Sequence, residues 1–233
     1  MMGQHLSLFF VRAIIFFLGP LTGILAVWIL AGELFSPRLI YFPSNRNEAE
    51  ILYANQRYAA AAATIGVVRG DLWASAAITK VAKLLFEPRG TSSREMLQTE
   101  LEDIRVIADR AARLSPHDSR IWLVLADIDT RLGMDNSKIA EALKLSFYTG
   151  PNVLSLMPLR LWFAVQSDAT SDEELQRLVS LDIQRIILQR PDLKPAIALA
   201  YKNARSKGRE IIEATLEQVD PAFLATIAIP RPR

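Results

Sequence analysis

The chain contains no cysteine and only two histidines, His5 and His117. The first absence excludes structural disulfides, iron–sulfur clusters, thiolate zinc sites and a cysteine nucleophile. The second leaves no histidine-rich metal site within one chain. Charge of one sign is also lacking: 27 Lys+Arg stand against 25 Asp+Glu, a net charge of +2. A surface that grips a phosphate backbone needs a larger positive excess, so no nucleic-acid partner is expected. Gly-x-Ser-x-Gly, a phosphate-cradling glycine loop and His-Glu-x-x-His are all missing. These absences predict no catalytic residue, no metal and no cofactor, and a chain that is not an enzyme.

Apolar residues are plentiful, at 51% against 22% charged, which argues against global disorder. The mean hydropathy of +0.18 is high for a water-soluble domain. Residues 13–32 account for most of it: AIIFFLGPLTGILAVWILAG is a run of 20 without a charge. At about 1.5 Å per residue this helix would cross about 30 Å, the thickness of a bilayer core. Gly19-Pro20 inside it is expected to kink the helix, which membrane helices tolerate. Trp28, Tyr41 and Phe42 fall near the outgoing boundary, and Arg12 can snorkel at the incoming one. A cleaved signal peptide would have a shorter apolar core and a small-x-small site, whereas Leu30-Ala31-Gly32 carries a bulky leucine. The expectation is an uncleaved, single-pass anchor that contacts the lipid bilayer through residues 13–32. A bare count of Arg38 and Arg46 against Arg12 favours retaining the C-terminal side in the cytoplasm. A short tail, one span and a long soluble remainder favour the opposite, a periplasmic C-terminal domain at a bacterial inner membrane.

After the span, residues 33–47 hold Pro37, Pro43, Ser36, Ser44, Asn45 and Asn47 and read as a linker. From Glu48 onward no sustained alternation or hairpin turn appears, so the fold class is all-α. Helices are predicted over 48–65, 71–86, about 93–114, 119–132, 137–148, 152–166, 171–189, 193–205 and 208–219. Asp71 and Ser92 or Ser93 are candidate caps, Pro88–Thr91 a break, and Ser171-x-x-Glu174 a capping box. Met96, Leu97, Leu101, Ile104, Ala108, Ala111 and Ala112 form the expected apolar face of the helix ending at Leu114. Gly133, Gly150 and Gly208 are placed between helices, and 229–233 is a tail. His117 lacks a nucleophile to work with and reads as an interhelix polar contact.

Short paired helices invite a search for repeats. Pro116 is followed six residues later by Trp122 and eleven further by Gly133; Pro191, Ile197 and Gly208 repeat the spacing. Pro151 and Met157 mark a middle copy, with Asp168 in the glycine position. The stretch Ala111-Ala112-Arg113-Leu114-Ser115-Pro116, then Trp122-x-x-Leu125-Ala126 and Leu132-Gly133, resembles the tetratricopeptide repeat family. Asp129 departs from that pattern where an aromatic is expected, and Lys138 where alanine is, unless an insertion brings Ala140 into place. The resemblance covers 116–224, as units 116–150, 151–190 and 191–224, within a helical-repeat domain of 48–228. It implies antiparallel helix pairs in an α-α superhelix whose concave groove binds protein. The groove positions it implies are Arg120, Leu123, Asp127, Thr130, Trp162, Lys202 and Arg205. Together, span and repeat predict an anchored protein-interaction adaptor or scaffold of a bacterial envelope assembly, with membrane or envelope proteins as partners. The alternatives are an accessory subunit of cell-surface polysaccharide synthesis and export or of cytochrome maturation, and, less favoured, an enzyme using the groove.

Overall fold

A computed structural model describes residues 2–37, 42–43, 46–86 and 94–228. The described residues form helices and turns, with no strand among them. Helix α1 (Met2–Phe35) runs through Pro20 and contains a segment, Ile15–Phe35, of 21 residues that is long and apolar enough to cross a membrane. That segment is almost wholly exposed until its last turns. Within it the Thr22 hydroxyl donates to the carbonyls of Leu18 and Gly19, both at 2.9 Å, which keeps the hydroxyl paired inside its own helix.

Eleven further helices follow: α2 (Arg46–Ala54), α3 (Gln56–Ile65), α4 (Gly70–Phe86), α5 (Arg94–Leu114), α6 (Ser119–Arg131), α7 (Asn136–Thr149), α8 (Met157–Val165), α9 (Glu173–Gln189), α10 (Lys194–Asn203), α11 (Ser206–Val219) and α12 (Pro221–Ile227). Short 3-10 turns at 154–156, 168–171 and 191–193 lead into α8, α9 and α10. Consecutive helices pack as pairs, α4 with α5 and α6 with α7 most extensively. Beyond its own pair, α6 touches α4 and α8, and α8 touches α10; α9 likewise touches α7 and α11. The first helices α4, α6, α8 and α10 therefore form one row and the second helices α7, α9 and α11 another, while α5 packs on α6. The apolar side chains between these rows merge into one core that extends from Ala74 to Leu216.

Local physics explains where elements start and stop. Asp118, Asp135, Asp172 and Asp220 cap α6, α7, α9 and α12, each accepting from a backbone N–H two or three residues on. The predicted box at Ser171 gives way to Asp172, because Ser171 is occupied in the preceding 3-10 turn. Asp71 sits in the first turn of α4, and Arg69 holds its carboxylate at 2.5 Å. The predicted helix 48–65 is divided at Asn55, whose amide bonds back to the Ile51 carbonyl at 3.0 Å. Both halves then pack on α4. Met96, expected on the apolar face of α5, is exposed, while Leu101, Ile104 and Ala108 are buried. The Pro88–Thr91 break, the Ser92 or Ser93 cap, Arg38, Tyr41, Ser44, Asn45 and the tail 229–233 lie outside the described residues.

Two of the three glycines placed between helices, Gly133 and Gly208, play different parts. Gly133, with φ +67°, makes the left-handed turn from α6 to α7. Gly208 lies within α11, where a Cβ would come 2.6 Å from the Val165 carbonyl oxygen. The apparent match of Gly133 with Gly208 thus joins a turn to a helix-packing contact.

Candidate functional site

The row α6, α8, α10 carries the implied groove residues, and the structure gives them different environments. Leu123 is fully buried in the core. Asp127 is buried beside Arg131, which donates to it at 2.9 Å. Both support the fold and present no surface to a partner. Arg120 is half-buried and grips Asp118 at 2.6 Å. Half-buried Thr130 returns its hydroxyl to the Ala126 carbonyl at 2.7 Å. Trp162 is half-buried and packs on the main core. Lys202 is exposed near the end of α10, and exposed Arg205 pairs with Asp168 across the mouth of the α8–α9 turn. The row is assembled as helices, but its members do not converge on one open trough.

Asp129, the departure from the repeat pattern, is buried and accepts from Arg105 of α5 at 2.6 Å. An ion pair replaces an aromatic contact there and joins α5 to α6. Ala140 is buried and Lys138 exposed, so the second helix of this pair turns Ala140 inward. A second buried pair is deeper. Arg160 of α8 is 0% exposed; it holds Asp182 of α9 at 3.0 Å and donates to the carbonyls of Ser146 and Gly150 at 3.2 and 2.8 Å. Its guanidinium lies 4.6 Å from the Phe147 ring centre. Burial pushes the Asp182 carboxyl up to about 6, although Arg160 and Arg185 both pull it down. The pair has no opening to a substrate and bolts α7, α8 and α9 together.

A depression of about 870 Å³ runs between α9 and α11, on the row of second helices. Its lining includes Gln176, Ser180, Leu181, Gln184, Lys207 and Gln218. Leu181 presents an exposed apolar side chain among amides. Amides pair readily with a peptide backbone, and one apolar side chain offers a small anchoring contact. The sequence reading missed this surface because it assigned partner contacts to first helices only. Exposed Leu181 at mid-helix, out of phase with buried Val179 and Ile183, was the available signal.

His117 is exposed in the α5–α6 turn, and among the described residues no three His, Cys, Asp or Glu side chains are grouped to hold a metal ion. No family model, no curated protein and no solved structure matches the chain.

Proposed function

We propose that this chain is a membrane-anchored adaptor built on tetratricopeptide-like helix pairs, which holds a protein partner beside a bacterial inner membrane and performs no catalysis. One observation carries the reading: an exposed apolar helix of membrane-crossing length is fixed to a domain of serially packed helix pairs. Such a domain supplies extended surface rather than an enclosed chemical site. Anchoring raises the effective concentration of whatever it holds near the bilayer. The partner is a protein segment seated between α9 and α11, where Leu181 and the neighbouring amides contact it. The helical domain faces the periplasm.

A photo-crosslinking residue at Gln184, in the full-length chain in intact cells, tests the adaptor role. The expected result is a discrete protein adduct that Leu181→Asp abolishes without lowering the melting temperature. Labelling that Leu181→Asp leaves unchanged, or adducts to lipid alone, would refute the assignment of this surface.

A further inference from the structure

The apolar segment of α1 and the turn between α3 and α4 meet at one level. The Trp28 indole donates to the Ile65 carbonyl at 2.7 Å, and Gly66, Val67 and Val68 follow directly in the chain. One turn further along α1, Gly32 faces Leu72, and Glu33 pairs with Arg69 at 2.5 Å. The last two turns of α1 are therefore attached to the domain itself. The 21 residues Ile15–Phe35 measure about 32 Å as a helix, close to the whole hydrocarbon thickness. If they cross the bilayer, Trp28 stands about 10 Å short of their end, and the 65–68 turn stands beside it. Sliding α1 until Trp28 reaches the headgroup boundary carries the turn to the same boundary. In neither seating does the turn clear the membrane.

The chemistry of the turn suits that place. Val67 and Val68 are 46% and 63% exposed at its tip. Two indoles back them: Trp28, and Trp73, whose N–H donates to the Val67 carbonyl at 3.2 Å. Arg110 donates to the same carbonyl at 3.3 Å and stacks its guanidinium 4.1 Å from the Trp73 ring centre. Indoles and arginines with apolar bodies and polar tips favour the layer between water and acyl chains. The carbonyls of Ile65, Gly66 and Val67 already accept from Trp28, the Arg69 amide, and Trp73 with Arg110. Entry into a layer poor in water removes no needed partner from them.

We propose that the Val67-Val68 turn inserts into the boundary between headgroups and acyl chains of the membrane that α1 crosses, seating the domain on the bilayer. The proposal rests on α1 being a membrane anchor, and the test separates the two. The absence of cysteine allows single labels on the full-length chain. An environment-sensitive fluorophore is attached to Leu21→Cys, Val68→Cys or Lys138→Cys, in vesicles of phosphatidylcholine and phosphatidylglycerol. Doxyl groups are carried either near the headgroup or near the acyl end of the lipid, and iodide is supplied in the water.

The expected result is loss of Val68→Cys fluorescence with the shallow doxyl lipid and shielding from iodide. Leu21→Cys should respond to doxyl lipid and Lys138→Cys to iodide alone. Val67→Cys repeats the reading should Val68→Cys misfold. A quenched Leu21→Cys with an iodide-accessible Val68→Cys, unaffected by doxyl lipid, overturns the seating and leaves the anchor. A Leu21→Cys that no lipid quenches overturns both. A Val68→Cys shielded from both quenchers assigns the turn to a second protein chain and overturns the proposal.

Discussion

At the residue scale, a side chain's type and its surroundings have to be read together. Arg160 is a surface residue by composition, yet it is fully buried with Asp182 as its counter-charge. Removing one member of a buried pair strands the other, so Arg160→Met should cost about 3–5 kcal/mol at neutral pH. The cost should shrink on acidification, because Asp182 can then take up a proton. The unsubstituted protein has the same sign. Asp182 titrates at about 6 in the fold and near the ordinary carboxylate value when unfolded, so the folded state binds the extra proton between these limits. Its contribution to stability therefore falls as pH rises from about 4 to 6. Chemical denaturation of the detergent-solubilised chain at several pH values checks both expectations; a pH-independent penalty for Arg160→Met would contradict them. Trp122 makes the converse point. It is a large apolar residue, yet it is only half-buried, with its indole N–H on the Pro116 carbonyl at 2.7 Å. Trp122→Ala should therefore cost about 2 kcal/mol rather than the 3–5 kcal/mol of a fully buried aromatic. Thermal unfolding of this variant beside Arg160→Met gives the comparison, and an equal or larger loss for Trp122→Ala would show the indole to be more deeply engaged.

At the element scale, aspartate caps also join helices. Asp172 accepts from the Leu175 amide at 2.8 Å while Lys144 of α7 donates to it at 2.9 Å. Those two contacts, the amide first, hold its carboxyl below the usual range. Asp220 repeats the arrangement with the Phe223 amide at 3.0 Å and Lys194 at 2.7 Å. Asp172→Ala removes the cap of α9 and should cost about 1 kcal/mol. Hydrogen exchange should report the loss in the first turn of α9 before any in α11. Uniform loss of protection across α9 to α11 would instead mean that the helices open as one unit. Helix positions were legible because apolar residues recur at helical spacing, as in Leu101, Ile104 and Ala108. Boundaries were less so: α12 went unread although Pro221 stands at its first position and Asp220 caps it. A helix of seven residues, about two turns, is too short to show a period.

At the scale of the whole molecule, the end of α1 and the helical domain are one packed body rather than two parts on a tether. Residues 33–47 read as a linker, yet Glu33, Leu34 and Phe35 continue α1, and Glu33 closes onto Arg69. The attachment transmits the orientation of α1 to the helical domain. A fusion of alkaline phosphatase or of green fluorescent protein after Arg233 reports which side that domain occupies. Phosphatase activity without fluorescence is expected. Fluorescence without phosphatase activity would put the domain in the cytoplasm, as Arg38 and Arg46 would favour, at about 2.3 kcal/mol per charge per 100 mV of membrane potential.

Composition and spacing alone determined that the chain is helical and that its N-terminal segment is apolar enough to cross a membrane. These are properties of local periodicity and summed hydropathy, which need no knowledge of neighbours. The candidate surface was not determined in that way. Leu123 and Asp127 share a helix face by spacing, but whether that face meets solvent or another helix depends on how α4, α6 and α8 pack. The pairing of Arg160 with Asp182, 22 residues apart, and of Trp28 with the Ile65 carbonyl, 37 residues apart, was likewise decided by tertiary structure. A charge or an indole declares what it can bond to, and only the packed chain brings its partner within reach.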